Sequence, residues 1–183
     1  MRAEGFTLVE LLVSLAVIGL VLAATFSVLY QSQQAYLLGV AGLEAQQSAR
    51  VALERMAREI QAAGFDPTGA RFPAIVNPTP TSLTIQRDLN RNGVIDASGE
   101  TVTYLLRDTT LRRNAGGGAQ PVIEGVRELA FAYLDADGVP TTVPDRIRSV
   151  EIRLVVGPTA LWRVPVSRAL AVTMHTQVRL RNR

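Results

Sequence analysis

A single carboxylate, Glu10, interrupts an apolar run from Phe6 to Tyr30 that is otherwise broken only by Thr7, Ser14, Thr25, Ser27 and small residues. A carboxylate in a bilayer core costs on the order of 2–3 kcal/mol on insertion scales, so it marks a functional residue by default. The competing reading is an acid near a helix start, tolerated by the positive end of the helix dipole close to the interface. A second set of oxygen-bearing side chains lies far along the chain. Asp88, Asn90, Asn92, Gly93 and Asp96 take the first, third, fifth, sixth and ninth places of an EF-hand-like loop. Alternating oxygen ligands around a glycine turn suit a hard cation, and calcium is the cofactor this spacing would hold. Against it, the twelfth place is Gly99, Glu100 comes one place late, and the flanks read as strands. A solvated hairpin tip whose Asn and Asp side chains cap their own turns uses the same residues.

The cations are all of one kind. All 19 basic residues are arginine, because the sequence contains no lysine. Arginine favours bidentate and interfacial pairing, although codon bias or a hot habitat gives the same composition. Arg112 and Arg113, and Arg179, Arg181 and Arg183 near the end, could meet DNA phosphates. A solvated face or subunit contacts would use them equally well. The net charge of +3 is too small to argue for a nucleic-acid partner alone. Without cysteine there is no disulfide, thiolate metal site or thiol nucleophile, and the one histidine, His175, argues against a triad or multi-histidine centre. His175 reads as a sheet-surface residue, and Trp162 before Arg163 as the closure of one edge of the core or a partner anchor. The glycine-rich stretch Asn114 to Gly118 lacks the Gly-Lys-Ser/Thr ending of a phosphate cradle and reads as a connection. No paired carboxylates or cofactor fingerprint appear, so no enzyme is expected.

Elements must position these residues. The 183 residues allow one domain with its own core plus a segment that leaves it. No proline precedes Pro67, so one helix can run from Phe6 to about Ala63, ~87 Å at the usual rise. Its apolar part, residues 6–30, has the length of a bilayer span. Its second part, 31–64, is amphipathic: Leu53, Met56, Ala57, Ile60 and Ala63 form a stripe, with Arg50, Arg55, Arg58 and Glu59 on other faces and Glu54–Arg58 as an i,i+4 pair. Gly39 and Gly42 are its weakest points, and Gly64 fits its stop. Strands are predicted over Ser82–Arg87, Thr101–Arg107, Thr110–Arg113, Val126–Leu134, Ile147–Val156 and Ala169–Leu180, with turns at Asp108-Thr109 and Asp135 to Gly138. Val150, Ile152, Leu154 and Val156 share one strand face, as do Leu129, Phe131 and Tyr133. The fold class is α+β, a long N-terminal helix packed on an antiparallel β-sheet head of residues 65–183.

The string Gly5-Phe6-Thr7-Leu8-Val9-Glu10-Leu11-Leu12-Val13 resembles the processing and methylation motif of type IV prepilins and type II secretion pseudopilins. The resemblance implies a pilin-like fold and a leader, residues 1–5, removed by a prepilin peptidase that cuts after Gly5 and methylates Phe6. It also implies single-pass residence in the inner membrane before assembly at the cell surface. Arg2 on the short leading side agrees with a head outside the cytoplasm. Cleavage would create a cationic amine on Phe6, which Glu10 of a neighbouring subunit could neutralise in a filament core. Such a pair gives register more than net stability. The stretch Arg55 to Phe65, the Asp/Asn-rich loop before Glu100-Thr-Val-Thr-Tyr104, and the end Thr176 to Asn182 resemble PilW-type minor pilins, and the first half also the J-type minor pseudopilins. What this implies is a minor subunit that primes or caps a pilus for twitching, adhesion or DNA uptake. Its partners would be other major and minor pilins and an inner-membrane assembly platform. A minor pseudopilin, or a tethered module binding DNA or a surface, are the alternatives.

Overall fold

The computed structural model describes residues 7–158 and 171–182. The proline-free N-terminal region forms one helix, α1, Leu8–Ala62, close to the expected span. The chain falls into two compact units, Met1–Val40 and Ala41–Arg183, and α1 contributes to both. In the first unit, every large apolar side chain from Leu8 to Leu37 is more than half exposed. A continuous apolar surface of this kind does not suit water, and α1 is the one described helix long and apolar enough to cross a membrane.

In the second unit α1 buries a stripe. Leu53, Met56, Ile60 and Ala63 are buried as their spacing predicts, Ala57 is half-buried, and Ala49 and Ala52 extend the stripe by one turn. Burial of each large member contributes about 1.5–3 kcal/mol. The helix ends at Gly64, whose φ of +73° lies in the left-handed region that glycine enters freely. Its N–H donates to the Gln86 carbonyl at 2.8 Å, so the helix stop is also a tie to a strand.

The strands form two antiparallel sheets. The first contains β1 (Ile75–Val76), β2 (Ser82–Gln86), β3 (Thr101–Arg107), β4 (Thr110–Asn114) and β5 (Ala119–Ile123) in sequential order. The second contains β6 (Val126–Leu134), β7 (Ser149–Val156) and β8 (Val172–Arg179). The expected antiparallel β-rich head is thus built from two sheets, and β1 and β5 are additions to the expected strands. The predicted start at Ile147 moves to Ser149, because Pro144–Arg146 forms a short 3-10 turn that leads into β7. Of the last expected strand, Ala169 and Leu170 lie outside the described residues. The Asp108-Thr109 turn joins β3 to β4, and residues 115–118 join β4 to β5.

Alternation along β6 and β7 turns Leu129, Phe131 and Tyr133, with Val150, Ile152, Leu154 and Val156, into one core with the α1 stripe and with Leu83, Ile85, Val102 and Leu111 of the first sheet. Hydrogen bonds tie β6 to the first sheet: Val126 N–H donates to Thr109 O at 2.9 Å. Phe131 N–H donates to Pro80 O at 2.8 Å, and the Tyr133 hydroxyl reaches the carbonyls of Thr79 and Ser82. Burial pushes that hydroxyl's pKa up to about 12.

Candidate functional site

The start of α1 is closed by its own side chains. Thr7 precedes the first helical residue, and its Oγ1 accepts the Glu10 N–H at 3.3 Å. Glu10 Oε2 in return accepts the Thr7 N–H at 3.0 Å and the Thr7 hydroxyl at 2.9 Å. This is a capping box, in which two otherwise unpaired helix-end donors are satisfied reciprocally. The signal Thr7-x-x-Glu10 stands in the sequence, but weighing Glu10 against the membrane alone misses it. The carboxylate therefore serves the helix start, while Oε1 takes neither Thr7 bond. Gly5 and Phe6 lie outside the described residues.

The four oxygen-bearing residues Asp88, Asn90, Asn92 and Asp96 lie in the β2–β3 connection, where the side chains of the last three meet. Asp88 is fully buried. Its Oδ1 accepts the Arg91 N–H at 2.6 Å and its Oδ2 the Gly93 N–H at 2.9 Å. Asn90 Oδ1 accepts the Asn92 N–H, Asn92 Oδ1 accepts the Val94 N–H, and the two side-chain amides point at Asp96 Oδ1. Both Asp88 oxygens, both Asn Oδ1 atoms and Asp96 Oδ1 thus face N–H donors of the protein. Among the described residues no group of three or more His, Asp or Glu is gathered as a metal cluster would be.

The residue that closes this loop is Glu100. Fully buried, it accepts Leu89 and Asn90 N–H groups on Oε1 and Asp96 and Ala97 N–H groups on Oε2, all within 2.8–3.2 Å. These amide bonds, that from Ala97 foremost, hold its carboxyl below the ordinary range despite burial. A neighbouring loop repeats the device. Asp66 gathers the N–H groups of Thr68, Gly69, Ala70 and Arg71 and the Thr68 hydroxyl, and its pKa is likewise lowered, chiefly by the Arg71 amide. The two loops touch: a Cβ on Gly93, where φ is +78°, would stand 2.8 Å from Thr68 Oγ1.

Residues 1–26 match the family model described as the prokaryotic N-terminal methylation motif. This match supports a type IV prepilin-like N-terminus. No curated protein matches the chain. The matched span contains Gly5, Phe6, Thr7 and Glu10 and stops well before the head. For a prepilin-like chain the motif carries with it, in general, a prepilin peptidase and assembly with other pilins.

Two neighbouring arginines of β4 are held by bonds within the head. Arg113 Nε lies 3.0 and 3.1 Å from the two Glu59 oxygens and its Nη2 3.0 Å from Oε1. The buried Tyr104 hydroxyl donates to Glu59 Oε2 at 2.8 Å. Burial first, then the Glu59 charge, raises the pKa of that hydroxyl. Arg112 Nη1 donates to Ala119 O at 3.0 Å, and its Nε is buried without a partner. The helical pattern assigns Glu59 to an outward face; it turns to the sheet instead, and the i,i+4 pair that forms is Arg55–Glu59 at 3.8 Å rather than Glu54–Arg58. His175 is exposed on β8, cross-strand from Arg153. Arg179 and Arg181 are exposed, whereas Trp162, Arg163 and Arg183 lie outside the described residues.

Proposed function

We propose that this chain is a minor subunit of a type IV pilus. It would wait in the inner membrane through α1 with its head on the periplasmic side, and enter the filament after cleavage at Gly5 and methylation of Phe6. One observation carries the reading: the processing motif sits at the head of a helix whose apolar side chains from Leu8 to Leu37 are left uncovered. That surface needs lipid before assembly and neighbouring helices afterwards. Glu10 then has two duties. Oε2 caps its own helix, and Oε1 is presented to the Phe6 amine of a neighbouring subunit. The likeness of the head to PilW-type minor pilins supports a priming or tip position over a bulk one.

The test is a Glu10→Ala chain expressed beside wild type. It should be cut and remain in the membrane, yet be depleted from sheared filaments. Incorporation at the wild-type level would overturn the assembly role. Deleting the gene and scoring pili, secretion and transformation separates the pilus reading from a type II secretion pseudopilin. DNA binding at Arg112 and Arg113 would have to compete with Glu59 and Ala119 for the same N–H groups. Salt-sensitive DNA binding lost on substituting both would revive it.

A further inference from the structure

We propose that Asn92 is a site of spontaneous modification, at which the Gly93 peptide nitrogen attacks the Asn92 side-chain amide and turns it into aspartate and isoaspartate. The inference is independent of the pilus reading. Asn92–Gly93 is the only Asn–Gly step in the sequence, and Asn92 stands exposed at the tip of the β2–β3 connection. Glycine carries no side chain to shield its nitrogen, and its φ of +78° at Gly93 is one that other residues resist.

The local bonds set up the reaction. Asn92 Oδ1 accepts the Val94 N–H at 2.8 Å. This bond ties the side chain of Asn92 to the backbone two residues on, across the peptide that carries the Gly93 nitrogen. The Gly93 N–H points at Asp88 Oδ2, 2.9 Å away, so an acceptor for its proton is already in place. Among the described residues the departing nitrogen, Nδ2, is held by one long bond, to Asp96 Oδ1 at 3.3 Å.

The Gly93 nitrogen bonds to Asn92 Cγ and loses its proton, and Nδ2 leaves as ammonia, giving a five-membered imide. Water then opens either imide C–N bond. One product carries an ordinary aspartate in place of Asn92; the other carries the main chain through the side-chain carboxyl. The net change is amide plus water to acid plus ammonia. The consequence for the loop is electrostatic. A donor facing Asp96 becomes a carboxylate facing a carboxylate, and two like charges at that range oppose each other. The loop that Glu100 closes is loosened in proportion to the age of the subunit.

The full chain in detergent, held at mildly alkaline pH and then digested, reads this directly through the mass of the loop peptide and labelling by an isoaspartyl methyltransferase. The acid and isoaspartate forms should appear at position 92 ahead of Asn90, Asn114 and Asn182. The incubated protein should melt at a lower temperature, and Asn92→Gln should show neither change. Conversion of Asn90 or Asn114 while Asn92 remains an amide would overturn the proposal. So would an unchanged Asn92 in the folded chain over the time in which the denatured chain converts there.

Discussion

Glu100 shows how a carboxylate can organise a loop without touching a ligand. Four backbone amides drawn from both arms of the β2–β3 connection converge on it, and Asp88 adds two more from the inside. Removing the acceptor takes four part-buried bonds away at once, and each such bond contributes about 0.5–1.5 kcal/mol net, more when the acceptor is charged. The full chain with Glu100→Ala should therefore melt well below wild type, with Glu100→Gln between them because the amide oxygen still accepts. The lowered pKa values of Glu100 and Asp66 fix the pH dependence. A folded state that prefers the ionised form has the full benefit above the unfolded values, about 4.3 for Glu and 3.9 for Asp, and loses it as pH falls through the lower folded values. Melting should be flat above about pH 5 and fall below about pH 4, and Glu100→Gln should reduce that fall while leaving the Asp66 share. The same assay examines calcium. A melt raised by calcium and insensitive to it in Asp88→Ala would assign the loop a cation, and an unchanged melt with chelator would leave it to the amides. The spacing that suggests calcium is legible because it counts oxygens. What spacing does not show is which donors face them.

At the scale of elements, α1 is tied into the head by a charge as well as by its apolar stripe. Glu59 lies between Met56 and Ile60 at the rim of that stripe, where a helical pattern read from residue types alone assigns it outward. The pairing that draws it in comes from Tyr104 and Arg113, which are cross-strand partners on β3 and β4, and so depends on strand register rather than on the helix. With side chains only 13% and 17% exposed, Glu59 and Arg113 are costly to separate. Glu59→Ala should destabilise the protein by about 3–5 kcal/mol by stranding the arginine, whereas replacing both with apolar residues of similar size should recover most of it. Tyr104→Phe should cost about 1.5–3 kcal/mol, the range for a hydrogen bond to a charged group. Urea titration of the full chain, arranged as a double-mutant cycle, gives the coupling, and additive losses would refute the tie. Strand legibility divides in the same way. β6 and β7 alternate cleanly, and their residue types alone reveal them. β5 carries Pro121 at its centre, which argues against a strand unless one edge is left unpaired, and β5 is the edge of its sheet.

At the scale of the whole molecule, the second half of α1 belongs with the sheets. The change from helix to strand pattern sets a β-rich part of residues 65–183 apart from the amphipathic stretch 31–64, and the compact unit that holds the sheets begins at Ala41. The difference is the second half of α1. It supplies Ala49, Ala52, Leu53, Met56 and Ile60 to the core, with Ala63 just beyond its end, and Glu59 to the part-buried ion pair. Its three large apolar side chains alone contribute roughly 5–9 kcal/mol at about 1.5–3 kcal/mol each. That is comparable with the whole stability of a typical domain, about 5–15 kcal/mol. A chain of residues 41–183 should therefore be soluble without detergent and melt cooperatively. One of residues 65–183 should expose the inner faces of both sheets, fail to melt cooperatively and aggregate. Circular dichroism melts and size-exclusion profiles of the two fragments, prepared in parallel, decide the matter. A cooperative melt from 65–183 would mean that the sheets form a core without the helix.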